Sequence, residues 1–312
     1  MTKKVLLTGA YGYSGTYLRR HLQAAGHTLR TLTNHPAPDA DIEVFPLDFG
    51  DPASLTAAFD GVTTFYNTYW SRYAPSGTPH SQAVANTAML FDAARRAGVE
   101  RVVHLSITNP DPGSFYAYYR GKAAVEDLLT DSGMSYAIVR PSVLFGGDDI
   151  LINNIAWLLR RFPVFAIPGT GRYRLRPVHV DDLADLCVRL GSQRTDTVID
   201  AVGPESFAFE DLVGAIAEAV AAPFRPVHLP AAAVSVLLRG MSLLTRDVIL
   251  TRDEIDGLMA ELVMVEGEAT CPTRLTGYLH ANADRIGRRY QSELARRKAP
   301  QPPVPSTGIK SG

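Results

Sequence analysis

Tyr118 and Lys122 stand four residues apart in the run Tyr118-Tyr119-Arg120-Gly121-Lys122. On a helix that spacing puts both side chains on one face. A phenol has an ordinary pKa of about 10, too high for proton transfer near neutrality. A neighbouring ammonium favours the phenolate and brings it toward the working range. Two hydroxyls, Ser106 and Thr108, follow the apolar run Val102-Val103-His104-Leu105 and are candidates to hold a substrate oxygen beside the phenol. A Tyr/Lys pair also arises by chance on surfaces, so the reading depends on elements that bring these groups to one crevice.

A second constellation lies near the start of the chain. The apolar run Val5-Leu6-Leu7 leads into Gly9, Gly12 and Gly15, and an amphipathic stretch at 17–25 follows. Gly9 allows a sharp turn off a strand, Gly12 lets the backbone approach a pyrophosphate, and Gly15 lets a helix pack close to a sheet. The positive end of that helix and its free N–H groups then face an anion. The expectation is a dinucleotide site.

The surrounding pattern supplies the positioning elements. Strands are expected at 4–8, 28–33, 43–46, 63–66, 101–106 and 136–140, with helices at 16–25, 52–59, 81–97 and 115–131. Glycines at 26, 98 and 133 close three of these helices. Asp51-Pro52 reads as a helix start. Regular alternation of strand and helix implies an α/β fold with a doubly wound parallel sheet, whose strand C-termini line the ligand crevice. After Gly147 the rhythm changes. A helix at 149–161, a Pro/Gly-rich piece at 162–171, a strand at 173–180, a helix to 190 and a helix at 209–221 are expected, with 223–290 mostly helical. The chain thus divides into a Rossmann core at 1–147, a mixed segment at 148–298 that completes the sheet and forms a smaller, mostly helical lobe, and a disordered tail at 299–312.

Composition bounds the function classes. The 312 residues are 46% hydrophobic and 20% charged, as expected of a globular chain with a sizeable core. Lys plus Arg (31) nearly balance Asp plus Glu (32), which argues against a nucleic-acid partner. Cys187 and Cys271 lack metal-ligand neighbours and read as ordinary thiols in a reducing, cytoplasmic setting. The run after Lys3-Lys4 is too short for a signal peptide, and 231–244, broken by Arg239, is too short for a membrane span. Asp148-Asp149 reads as helix capping, with no metal site. The aromatic run at 66–73 either lines a substrate pocket or packs over the cofactor. His104 and His179 read as structural.

Taken together, Thr8-Gly9-x-x-Gly12-x-x-Gly15, Asp48 after the third strand, a hydroxyl at the end of the fifth and Tyr118-x-x-x-Lys122 resemble the short-chain dehydrogenase/reductase superfamily. Arg140-Pro141-Ser142-Val143-Leu144-Phe145-Gly146 and Pro177-Val178-His179-Val180-Asp181-Asp182-Leu183-Ala184 resemble its extended branch, the NAD-dependent epimerase/dehydratases. Tyr119-Arg120-Gly121-Lys122-Ala123, with its short preceding loop, is similar to the atypical subgroup containing the NADPH-holding accessory subunit of respiratory complex I. The resemblance implies that Gly9, Gly12, Tyr13, Ser14 and Gly15 contact the pyrophosphate, and that Asp48 and Phe49 flank the adenine. It implies that Asn67 and Thr68 border the cofactor and that Pro141 and Ser142 lie near the nicotinamide amide. Thr108 would be the catalytic hydroxyl with Ser106 as fallback, Tyr118 the general acid/base, and Lys122 its partner and a ribose ligand.

Departures from the pattern sharpen the expectations. The second strand ends Leu32-Thr33-Asn34-His35, without the acidic residue that holds a ribose 2′-hydroxyl. Asn34 stands where NADP-binding relatives carry arginine, and His35 adds partial positive charge. NADP(H) is therefore favoured over NAD(H). Only nine residues separate Thr108 from Tyr118, fewer than nucleotide-sugar epimerases use. The arginine that grips a sugar-nucleotide diphosphate would fall at Leu175, flanked by Arg174 and Arg176. The leading expectation is an NAD(P)(H)-dependent oxidoreductase acting on a small-molecule carbonyl or alcohol. A non-catalytic NADPH-holding or redox-sensing protein and a nucleotide-sugar epimerase/dehydratase remain open. So does a homodimer through the helices at 81–97 and 115–131.

Overall fold

The computed structural model describes residues 2–34, 41–70, 79–245, 247, 252–292 and 294–295. The expected tail at 299–312, His35 and residues 71–73 of the aromatic run lie outside the described residues.

In chain order the first half comprises β1 (Lys4–Thr8), α1 (Tyr13–Ala24), β2 (Thr28–Thr33), β3 (Glu43–Pro46), α2 (Pro52–Ala58), β4 (Thr64–Asn67), α3 (His80–Arg96), β5 (Arg101–Leu105), α4 (Ala117–Thr130), β6 (Ser135–Pro141) and β7 (Leu144–Phe145). The second half adds α5 (Leu151–Leu159), β8 (Val164–Pro168), β9 (Arg174–Leu175), β10 (Val178–His179), α6 (Val180–Gly191), β11 (Thr197–Ala201), β12 (Phe207–Ala208), α7 (Phe209–Ala219), β13 (Arg225–Leu229), α8 (Ala231–Thr245), α9 (Arg252–Met259) and α10 (Leu275–Ala281).

Seven strands form one sheet in the order β11-β6-β5-β4-β1-β2-β3. Every pairing in it is parallel. This is the doubly wound, Rossmann-like α/β fold expected from the strand–helix rhythm. Alternation along β1 shows why it is buried on both faces. Val5 and Leu7 meet α1 and α6, whereas Leu6 meets the layer of α2, α3 and α4. A central parallel strand with helices on both sides has no solvent face, so both residue sets are apolar. The order reverses between β1 and β4, which places the crevice at the C-terminal ends of these two strands.

The second half departs from expectation in instructive ways. The strand expected at 173–180 is broken into β9 and β10 by Arg176-Pro177. Proline has no N–H for a ladder, and the Arg176 side chain binds carbonyls instead. The short β9 pairs antiparallel with β12, while β10 runs parallel to β7. The Pro/Gly-rich stretch holds β8, which pairs parallel with β13, a strand inside a stretch expected to be helical. The sheet's seventh strand, β11, was not anticipated as a strand, although a later segment was expected to complete the sheet. Beyond the sheet, Phe145, Ile155, Phe209, Leu212, Ile216 and Leu275 gather into a separate core that supports the lobe.

Candidate functional site

The glycine turn follows β1 directly. Gly9 has φ +66°, a left-handed conformation that glycine adopts without strain. The Gly12 N–H donates to the Gly9 carbonyl at 2.8 Å and closes the turn. A Cβ on Gly15 would collide with that same carbonyl, and one on Gly12 would stand 3.2 Å from it. Helix α1 begins at Tyr13, three residues before the expected start, with Gly12 as its N-cap. No acidic residue lies in its first turn. The first amides of a helix have no intrahelical acceptor, so this end suits an anion. The turn therefore fits the dinucleotide phosphates that the sequence implies.

Across the switch point, β4 is fastened to β1. The Thr68 hydroxyl donates to the Thr8 carbonyl at 2.6 Å, and the Thr68 N–H donates to the Thr8 hydroxyl at 2.9 Å. Asn67 is fully buried. Its Oδ1 accepts from the Thr8 hydroxyl and the Tyr69 N–H, and its Nδ2 meets His104 Nδ1 at 3.1 Å. Burial holds His104 well below the ordinary histidine range, so the ring is neutral and accepts from Asn67.

A cavity of about 810 Å³ opens at these strand ends. Tyr13, Thr68, Ser106, Tyr118, Lys122, Pro141 and Ser142 all line it. These seven come from β1–α1, β4, β5, α4 and β6, and the fold alone brings them together. Asn67 points into the sheet and does not line the cavity. Asn34, Asp48 and Phe49 sit on the β2–β3 side, also away from it. Asn34 exchanges two hydrogen bonds with the Leu47 backbone, Asp48 accepts from the Gly50 N–H, and Phe49 packs on Tyr69.

The two candidate hydroxyls differ in what they face. Ser106 is 5% exposed, and among the described residues its hydroxyl has no hydrogen-bond partner. Thr108 is fully buried and donates to the Leu262 carbonyl at 3.0 Å. Thr108 belongs to a set of anchors that hold residues 262–267 over the strand ends. Asn109 Nδ2 donates to Leu262 and Met264, the Ser142 hydroxyl to Val263, and Arg176 to Val265 and Gly267. Sequence reasoning placed Thr108 ahead of Ser106. In the folded chain Ser106 faces the cavity and Thr108 holds this strap.

Lys122 is 3% exposed, and its Nζ donates to the Leu105 carbonyl at 2.9 Å. Burial pushes its ammonium down to about 7, partly opposed by Glu126. Glu126 is itself clasped by Arg140 at 2.5 Å. Tyr118 lies one turn before Lys122 on α4, with its ring edge-on to both Trp70 and His80. Trp70 and His80 stack at 5.6 Å and complete an aromatic corner of the cavity. The lysine and tyrosine thus line the same cavity from one face of α4.

Sequence reasoning missed the far wall. It is built by β7, α5 and β8 and by the lobe helices α8 and α9. The apolar run from Val143 and the apolar helix at 231–244 carried that signal. They were legible as core but not as a cavity wall.

Residues 9–155 match the profile of an NAD(P)H-binding family. The chain is 30% identical over 188 residues to a ceramide reductase of Caulobacter vibrioides, covering 58% of each protein. It is 23% identical over 238 residues to the NADH dehydrogenase (ubiquinone) 1 alpha subcomplex subunit 9, mitochondrial, of Arabidopsis thaliana, covering 71% of this chain and 59% of that one. Among solved structures, a Citrobacter sp. triphenylmethane reductase complexed with NADP(H) superposes with a TM-score of 0.73 at 16% identity, covering 90% of this chain and 99% of that one. The chain spans 24% to 58% of the length of the first curated relatives it matches. These likenesses agree with the superfamily resemblance carried by the glycine turn and the Tyr118–Lys122 pair. Among the described residues, no helix is long and apolar enough to cross a membrane.

Proposed function

We propose that the protein is an NADP(H)-favouring oxidoreductase of the extended or atypical short-chain type, working at a carbonyl or alcohol centre. The observation that carries the reading is the convergence of Ser106, Tyr118 and Lys122 on one cavity beside the glycine turn. Likeness to relatives named as reductases supports the same class.

The cofactor, when bound, supplies or accepts a hydride. In the reductive direction Tyr118 would give its phenolic proton to the carbonyl oxygen as the carbonyl becomes an alcohol. Ser106 donates a hydrogen bond to the reacting oxygen and orients it. Lys122, one turn along α4, would favour the developing phenolate and would hold the ribose hydroxyls with the protons not donated to the Leu105 carbonyl. The Trp70 and His80 rings pack edge-on to the Tyr118 ring and fix its place in the cavity. The missing acidic residue after β2 supports NADP(H).

A second reading is a non-catalytic NADPH-holding subunit or redox sensor, favoured by the likeness to the Arabidopsis subunit over 71% of this chain. One experiment separates the two. NADPH is titrated by nicotinamide fluorescence in the wild-type protein and in Tyr118→Phe, and carbonyl reduction is then followed at the nicotinamide band. The enzyme reading expects binding in both proteins and a loss of turnover of about 10²-fold or more in the variant, the scale of a lost general acid. Unchanged turnover in Tyr118→Phe would remove the mechanism.

A further inference from the structure

The geometry points to an uncharged, predominantly aliphatic carbonyl compound as the substrate, with its chain lying in the lobe end of the cavity. This inference rests on the oxidoreductase reading above and specifies what the site accepts.

Two observations carry it. The first is the chemistry of the wall. Beyond Ser106 and Tyr118 the cavity runs between Ile155 and Leu158 of α5, Phe165 of β8, Val234 and Leu238 of α8, and Leu258 of α9. Such a surface gains by removing apolar ligand area from water. A volume of about 810 Å³ is near the upper end for small-molecule sites and holds more than a nicotinamide.

The second is the disposition of the cations. A nucleotide-sugar diphosphate needs arginine or lysine directed at its phosphates. Leu175 is fully buried. Its neighbour Arg176 is 8% exposed and spends its donors on the carbonyls of Gly203, Val265 and Gly267. Arg174 is ion-paired with Glu261 at 3.0 Å and Glu266 at 2.8 Å. Among the described lining residues, Arg252 pairs with Asp256, and Lys122 is held by the Leu105 carbonyl. The same wall carries Asp149, Asp253 and Glu254. A dianionic group entering there would meet carboxylates, and the arginines near the strap are already committed to the protein. The charge pattern therefore rejects a diphosphate while the apolar end accepts an alkyl chain.

The test is calorimetric titration of the full-length protein, with and without NADP⁺, using primary alcohols from butanol to dodecanol and, separately, UDP-glucose. The expected result is a Kd that falls about fourfold per added methylene until the cavity is filled. UDP-glucose is expected to give no heat of binding. Ala166→Phe, which narrows the cavity beside Phe165, is expected to cut the gain for the longer alcohols at least tenfold more than for butanol. If that variant does not fold, Leu238→Glu on the partly exposed α8 supplies the same comparison. An affinity independent of chain length, or UDP-glucose binding tighter than the long alcohols, would overturn the inference. Neither result touches the oxidoreductase reading, which fails on its own terms if NADPH does not bind or Tyr118→Phe turns over normally.

Discussion

The Lys122 ammonium lies 4.6 Å from the centre of the Trp70 ring. Gly121 is what permits this approach. A Cβ at that position would come within 2.8 Å of the Trp70 ring. The glycine in Tyr119-Arg120-Gly121-Lys122 therefore makes room for an indole to cover the lysine. The ring face offsets part of the cost of burying the charge, and the Leu105 carbonyl accepts a hydrogen bond from one of its three N–H groups. What remains uncompensated is visible in the ammonium's depressed pKa of about 7.

That depression fixes how stability depends on pH. The unfolded lysine holds its proton up to an ordinary 10.5, whereas the folded one loses it near 7. Between those values the unfolded chain binds more protons, so this residue's contribution to stability rises with pH, and its full cost is present below 7. Lys122→Met removes that cost. Thermal melts are expected to show a larger gain for the variant at about pH 6 than at about pH 9, where the wild-type lysine is already neutral. An equal shift at both values would contradict the buried ammonium.

Ser106→Ala and Thr108→Ala should separate catalysis from anchoring. Ser106→Ala is expected to lower kcat/KM about tenfold or more, the size of a lost charge-assisted hydrogen bond to the reacting oxygen, with little change in melting temperature. Thr108→Ala removes one of the two donors to the Leu262 carbonyl, Asn109 Nδ2 being the other, and is expected to cost about 0.5–1.5 kcal/mol of stability. Steady-state kinetics and urea unfolding on both variants check this. The opposite pattern would restore Thr108 as the hydroxyl at the reacting oxygen.

Gly12→Val and Gly15→Ala probe the turn at two depths. At Gly12 a side chain comes close to the Gly9 carbonyl and projects into the space reserved for phosphates, so NADPH affinity is expected to fall at least 10²-fold while the protein stays folded. At Gly15 even a methyl group collides with the Gly9 carbonyl, so α1 must shift and stability falls as well. Fluorescence titration together with a thermal melt distinguishes the two. Wild-type NADPH affinity in Gly12→Val would show that the turn is structural only.

Much of the first half of the molecule was legible before any coordinates. Apolar runs of four to six residues alternating with amphipathic stretches, punctuated by glycines 26, 98 and 133, have few packings other than a doubly wound sheet. The glycine turn was legible because each glycine answers a steric demand that is local in sequence. The lobe was harder to read. Its strands β9, β10 and β12 have two residues each, too short for a periodic signal, and β8 and β13 pair across 61 residues of chain (Val164 with Arg225).

The sequence by itself determined which groups could do chemistry and on which strand ends and helix face they would stand, because those depend on local periodicity and turn sterics. Only the tertiary structure decided which of two hydroxyls faces the cavity. Ser106 and Thr108 have the same parity along the chain, and what separates them is a carbonyl at Leu262, 154 residues beyond Thr108. It likewise decided that Arg174 and Arg176 serve the strap rather than a ligand, and that β7, α5, β8, α8 and α9 together close the far wall. Those outcomes turn on which distant groups compete for the same donors and the same space, and spacing along the chain carries no record of that competition.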